Sequence, residues 1–118
     1  MKYLCLAYEE EKKLNALSKS EWGALRDETL AYVEELRKHG CLIAAEPLQS
    51  VRTAVTVRVR DGKVARTDGP FAETKEQLGG FFLIEARDLN DAIRVASKIP
   101  PLQLGCIEVR PIKVCEPL

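Results

Sequence analysis

The chain has 118 residues, enough for one domain and too few for two. Apolar residues make up 46% and charged residues 31%, which argues against intrinsic disorder. Eighteen Lys plus Arg balance eighteen Asp plus Glu, so the basic excess that drives nucleic-acid binding is missing. No apolar run approaches a membrane span, and Met1 to Tyr8 lacks the basic start and cleavage site of a secretory signal. A cytoplasmic protein is expected, with no nucleic-acid or membrane partner.

Lys2 to Tyr8 carries apolar groups on both faces, the pattern of a central strand. The charge run Glu9 to Lys13 is expected as a solvated loop. Ser18 and Glu21 have capping-box spacing, and Ser20 to His39 reads as a helix. Its stripe is Trp22, Leu25, Thr29, Val33 and Leu36, and Gly40 stops it. His39 sits at the helix end as a favourable partner for its dipole. Leu42 to Leu48 is a second strand.

Val51 to Arg60 alternates most clearly, with Val51, Thr53, Val55, Val57 and Val59 on one face. Asp61-Gly62 makes a two-residue hairpin turn, and Lys63 to Thr67 returns, with Arg60 facing Lys63. Asp68 to Gly79 is non-periodic. Gly80 to Arg87 is a strand, and Leu89 to Ile99 is a helix capped by Asp88 or Asn90. The apolar face of that helix is Leu89, Ala92, Ile93, Ala96 and Ile99, and Pro100-Pro101 ends it. Cys106 to Val114 is the last strand, with Pro111 marking an edge or strand end.

The order β-α-β, hairpin, β-α-β is the split βαβ arrangement of α+β, ferredoxin-like folds. Two helices cover one face of a four-stranded sheet. Apolar residues on the other face need a cover too, and a second copy is the simplest one. The expected assembly is a homodimer with sheets face to face, a dimeric α+β barrel. Cys5, Cys41, Cys106 and Cys115 show no CxxC, and only one histidine exists. They read as buried, reduced thiols, with Cys5, Cys106 and Cys115 placed on strands.

The segment Asp68 to Gly80 carries the most information. Asp68-Gly69-Pro70 joins an acidic acceptor, a permissive glycine and a fixed φ, which aims a carboxylate. Phe71 is expected to anchor the loop in the core. Glu73, Lys75 and Glu76 place three titratable groups within four residues. The alternative is structural: Asp68 caps the turn, Phe71 fills a gap and the charges are solvated. Gly79-Gly80 either lets the backbone pass close to something or bends into the next strand.

The run Asp68-Gly69-Pro70-Phe71-Ala72-Glu73-Thr74-Lys75-Glu76, then Leu78-Gly79-Gly80-Phe81, resembles the signature of the DGPF-motif, YCII-related family. The ending Ile107 to Ile112, the segment Gly40-Cys41-Leu42 and the segment Glu46-Pro47-Leu48 resemble the same family. The resemblance spans nearly the whole chain and implies a dimeric ferredoxin-like α+β barrel. It also implies a frequent association with alternative sigma factors. Many members of the wider group carry a His on the first helix and an Asp before a proline after the second. Here those positions hold Thr29 and Ile99, which cannot form a His–Asp acid–base pair.

Any catalysis must therefore use carboxylates, with Asp68 and Glu73 as acid–base candidates and Lys75 as electrostatic partner. Glu108 and Arg110 lie two apart on one strand and share a face. They orient the loop carboxylates, bind a polar ligand, or merely tie the strand to the loop. Thr29, Gly69, Pro70, Phe71, Lys75, Glu108 and Arg110 form the candidate ligand-binding set. No known metal loop is encoded, and no cofactor is expected. The leading expectation is a homodimer binding a small polar molecule at the Asp-Gly-Pro-Phe loop. The alternatives are a regulatory protein paired with a sigma factor, a cofactor-free isomerase- or lyase-like enzyme, and a structural accessory domain.

Overall fold

The computed structural model describes residues 1–115. Period-two alternation makes strand β1 (Lys2–Glu9), whose Tyr3, Cys5 and Ala7 are buried while Leu4, Leu6 and Tyr8 are half-buried on the other face. Helix α1 (Glu11–Asn15) follows, then α2 (Lys19–Lys38), β2 (Leu42–Pro47), β3 (Val55–Arg60), β4 (Lys63–Asp68), β5 (Gln77–Glu85), α3 (Leu89–Ala96) and β6 (Gly105–Pro111). The main sheet runs β2-β5-β1-β6, with every neighbouring pair antiparallel. That is the ferredoxin-like order, and β1 is central. The hairpin β3-β4 forms a separate two-stranded sheet.

Local chemistry explains the boundaries. Ser18 accepts from the Glu21 amide at 3.1 Å while the Ser18 amide donates to Glu21 at 2.9 Å, a complete capping box. Gly40 ends α2 with φ of 71°. Asp88, not Asn90, caps α3 by accepting from the Asp91 amide at 2.8 Å. Asp61 and Gly62 adopt φ of 51° and 75°, the paired positive values of a tight hairpin turn, and Arg60 faces Lys63. The His39 ring shares a hydrogen bond with the Glu35 carbonyl at 2.8 Å.

The core lies between the sheet and the helices, around Tyr3, Cys5, Phe82 and Ile84 with Leu36, Val95 and Ile99. Burial pushes the Cys5 thiol up to about 11. The α3 face is Ala92, Val95 and Ala96, while Leu89 and Ile93 are exposed. Leu36 is the buried residue of α2; Leu25, Thr29 and Val33 are half-buried and Trp22 is exposed beneath the Arg26 guanidinium, 5.2 Å above its ring.

Several expectations need correction. Glu9 to Lys13 is not a loop: Glu9 closes β1 and Glu11 starts α1. Val51–Thr53 is a 3₁₀ turn, because Ser50 caps it by accepting from the Arg52 amide, so the alternating strand begins at Val55. Strand β5 begins at Gln77 rather than Gly80, and the helix expected to reach Ile99 ends at Ala96. The last strand ends at Pro111, leaving Cys115 off it. Cys106 and Cys115 are exposed rather than buried, and all four cysteines are free. Phe71 is 82% exposed and anchors nothing in its own core.

The chain is flat, 48 × 47 × 19 Å, with a radius of gyration of 16.3 Å. A compact chain of this length would have about 13.5 Å. The excess comes with an uncovered hairpin. Paired residues share a face, so the exposed Val55, Val57, Val59 and Val64 line one side of it, with the Arg66–Asp68 ion pair at its far end. Arg58, Arg60 and Lys63 line the other side.

Candidate active site at the end of strand β1

Glu9 is next in the alternation after Tyr3, Cys5 and Ala7, which puts a carboxylate at the rim of the core-facing row. Burial, and then the neighbouring Glu11 charge, raise its pKa above the ordinary carboxylate value. Among the described residues no hydrogen bond offsets that shift. The space it occupies is made by Gly79: a Cβ there would lie 2.8 Å from both Cδ and Oε2 of Glu9. Gly80 serves a different purpose, since a Cβ there would sit 2.9 Å from the Glu46 carbonyl oxygen. Both glycines lie inside β5 and give close approach, and the register against β1 shifts at Gly79, between the Ala7–Gly80 and Tyr8–Leu78 pairs.

Glu11 accepts from the Val51 amide at 3.0 Å and from the Ser50 hydroxyl at 3.2 Å. This long-range tie pulls the 3₁₀ turn against α1 and delivers Arg52 to the same end of the sheet. Glu9, Arg52, Gln77, Leu48 and Leu78 line a cleft of about 370 Å³. Arg52 and Gln77 also line an adjoining open depression of about 520 Å³, walled by Gly69, Pro70, Glu73 and Lys75. The loop is pinned there by the Gly69 amide donating to the Ala54 carbonyl and the Thr56 hydroxyl donating to the Gly69 carbonyl, each at 2.8 Å. Among the described residues, neither Arg52 nor Lys75 takes part in an ion pair.

Gly69, Pro70, Glu73 and Lys75 are thus together, while the other sequence-derived candidates lie elsewhere. Asp68 has a side chain 90% exposed and pairs with Arg66 at 3.4 Å, and it is not a wall of the depression. Phe71 points to solvent. Glu108 and Arg110 pair with each other beside Leu6 and Leu4, on the sheet face away from the helices. Thr29 donates to the Leu25 carbonyl at 2.8 Å, and Ile99 is buried. Glu76 reaches β6, where the Cys106 thiol donates to it at 3.4 Å. Glu9, Glu11, Arg52 and Gln77 were not among the sequence-derived candidates. Only Glu9 carried a readable signal, a charge on a core-facing row.

A larger depression, about 630 Å³, lies at the opposite end of β1 near His39 and Lys98. Its charges are largely spent on one another. Asp91 accepts from the Arg87 amide at 3.0 Å and is held by the Arg94 guanidinium at 2.9 Å and that of Arg87 at 3.4 Å, which keeps its carboxyl well below the usual range. No group of three or more His, Cys, Asp or Glu among the described residues is arranged to hold a metal ion. No helix among them is long and apolar enough to cross a membrane.

The sheet order and the inserted hairpin define an α+β, ferredoxin-like protein of the dimeric α+β barrel class. The pattern that defines the YCII-related domain matches residues 1–116, so the chain belongs to that family. An uncharacterised protein of Rhizobium meliloti (strain 1021) is 34% identical over 119 residues, covering 99% of this chain and 96% of the relative. Among solved structures, the fold is similar to the 5-chloro-2-hydroxyhydroquinone dehydrochlorinase of Burkholderia phenoliruptrix AC1100 in complex with 2,5-dihydroxybenzoquinone. The TM-score is 0.56 at 17% identity, covering 96% of this chain and 94% of that one.

Proposed function

We propose that the protein is a homodimer that binds a small anionic molecule between the Asp-Gly-Pro loop and the end of β1. The observation that carries this reading is a pair of cations, Arg52 and Lys75, on adjoining concave walls, neither in an ion pair among the described residues. A desolvated anion is recognised by such groups, and Arg adds a planar fork suited to a carboxylate. Leu48 and Leu78 offer apolar contact to the body of the ligand. The similar dehydrochlorinase was solved with a small hydroxylated ring compound, which fits the same size class.

Dimerisation is supported by two apolar surfaces: the exposed valines of the hairpin, and the outer sheet face, where Leu4, Leu6, Phe81 and Leu83 are only half-buried. A second copy of the chain covers both in this reading. The exposed Phe71 favours a second reading, in which the loop docks on a protein such as an alternative sigma factor.

A thermal-shift screen against small carboxylates and acidic phenols tests the proposal. A ligand at about 100 times its Kd adds roughly 2.7 kcal/mol of stability. The shift should vanish in Arg52→Gln and shrink in Lys75→Gln. A hit that persists in both variants refutes the site. An empty screen combined with a complex lost in Phe71→Ala favours the second reading.

A further inference from the structure

We infer that Glu9 is the proton acceptor of this cleft, and that the substrate is a small keto acid or its enol whose anionic group is held by Arg52. The inference rests on the small-anion reading above and deepens it. Three geometric facts carry it. Glu9 and Arg52 line one cleft without forming an ion pair, so a ligand fits between base and cation. The carboxylate occupies a space that exists only because residue 79 lacks a Cβ. Among the described residues no hydrogen bond ties the carboxylate, so its lone pairs stay available. The neighbouring ionisable groups divide into two kinds. Glu11 is anchored on the Ser50–Val51 backbone turn, and Arg52 is left to the ligand.

Partial burial and the like charge of Glu11 raise the basicity of Glu9, the direction a carboxylate base needs. In the step, a C–H bond beside the carbonyl breaks. Its proton passes to a Glu9 oxygen, and its electron pair moves to the carbonyl oxygen as an enolate. Return of a proton to the same carbon, after exchange with solvent, gives hydrogen exchange alone; delivery to the enolate oxygen gives the enol, and delivery to the far end of a conjugated system gives an isomer, and each route regenerates the Glu9 carboxylate. No other reactant is consumed.

The test is solvent-deuterium exchange followed by NMR, with pyruvate, oxaloacetate and acetoacetate as probes, beside a binding titration of each. The wild-type protein should accelerate exchange of at least one bound probe. Glu9→Gln should lose roughly 100-fold or more of that rate while still binding it. Gly79→Ala keeps the carboxylate but displaces it, so it should also lose rate. Binding without exchange for every probe overturns the role of Glu9 and leaves the binding reading intact. Exchange within threefold of wild type in Glu9→Gln overturns it as well. Failure of every probe to bind overturns the substrate class.

Discussion

Gly79 and Gly105 face the same end of β1, yet alanine should act on them in opposite ways. At Gly79 the new Cβ meets only the tip of Glu9, with Cδ and Oε2 at 2.8 Å and Oε1 at 3.1 Å. A side-chain tip swings aside for about 0.5–1.5 kcal/mol. Replacing a strand glycine by alanine returns about 0.5–1 kcal/mol. The net change should lie within about 1 kcal/mol of zero. At Gly105 the new Cβ falls 2.0 Å from the Tyr8 carbonyl oxygen. An unstrained C···O contact is about 3.3 Å, so β6 must move off β1 by more than about 1 Å. The Glu9–Gly105 and Tyr8–Cys106 pairings are then lost. The cost should exceed about 3 kcal/mol, a large share of the roughly 5–15 kcal/mol that stabilises such a domain. Urea unfolding followed by circular dichroism measures both. Equal destabilisation by the two variants, or a Gly105→Ala protein as stable as wild type, would refute the strand packing at this end of the sheet.

Ser18→Ala removes the capping box of α2 and should cost about 1 kcal/mol in the same assay. Ile84→Ala opens a void at a fully buried position and should cost about 2–5 kcal/mol. Burial raises the folded-state pKa of Glu9 above its unfolded value, so ionising it destabilises the fold. That penalty is absent below the unfolded value of about 4.3 and complete above the folded one. Glu9→Gln should therefore be more stable than wild type at pH 7 and indistinguishable from it below about pH 4, which paired denaturant titrations will read. Val57→Asp with Val59→Asp alters exposed positions, so it should leave the protomer folded but yield monomers in sedimentation equilibrium. An intact dimer would place the interface elsewhere.

The framework was legible wherever a local pattern carries the information. Apolar groups on both faces marked β1 as a central strand, Ser18 and Glu21 announced the start of α2, and Asp61-Gly62 announced the hairpin. The site was less legible because long-range contacts build it. Arg52 is functional in this account only because Glu11, forty residues away, captures the Val51 amide. Local alternation through Val51 and Thr53 argued for strand and concealed the turn that Ser50 caps. Phe71 was assigned to the core by its size, but the protomer offers it no cavity. Glu9 was readable as the polar end of an apolar row, and the charge run that follows it masked the signal.

The central claim is a binding site for a small anion at the end of β1, and mapping backbone amide shifts tests it most directly. A hit from the thermal-shift screen would be titrated into ¹⁵N-labelled protein. Saturable shifts are expected at Val51, Arg52, Gly69, Lys75 and Gln77, lost in Arg52→Gln. Shifts confined to the far depression, at His39, Cys41 and Lys98, would contradict it.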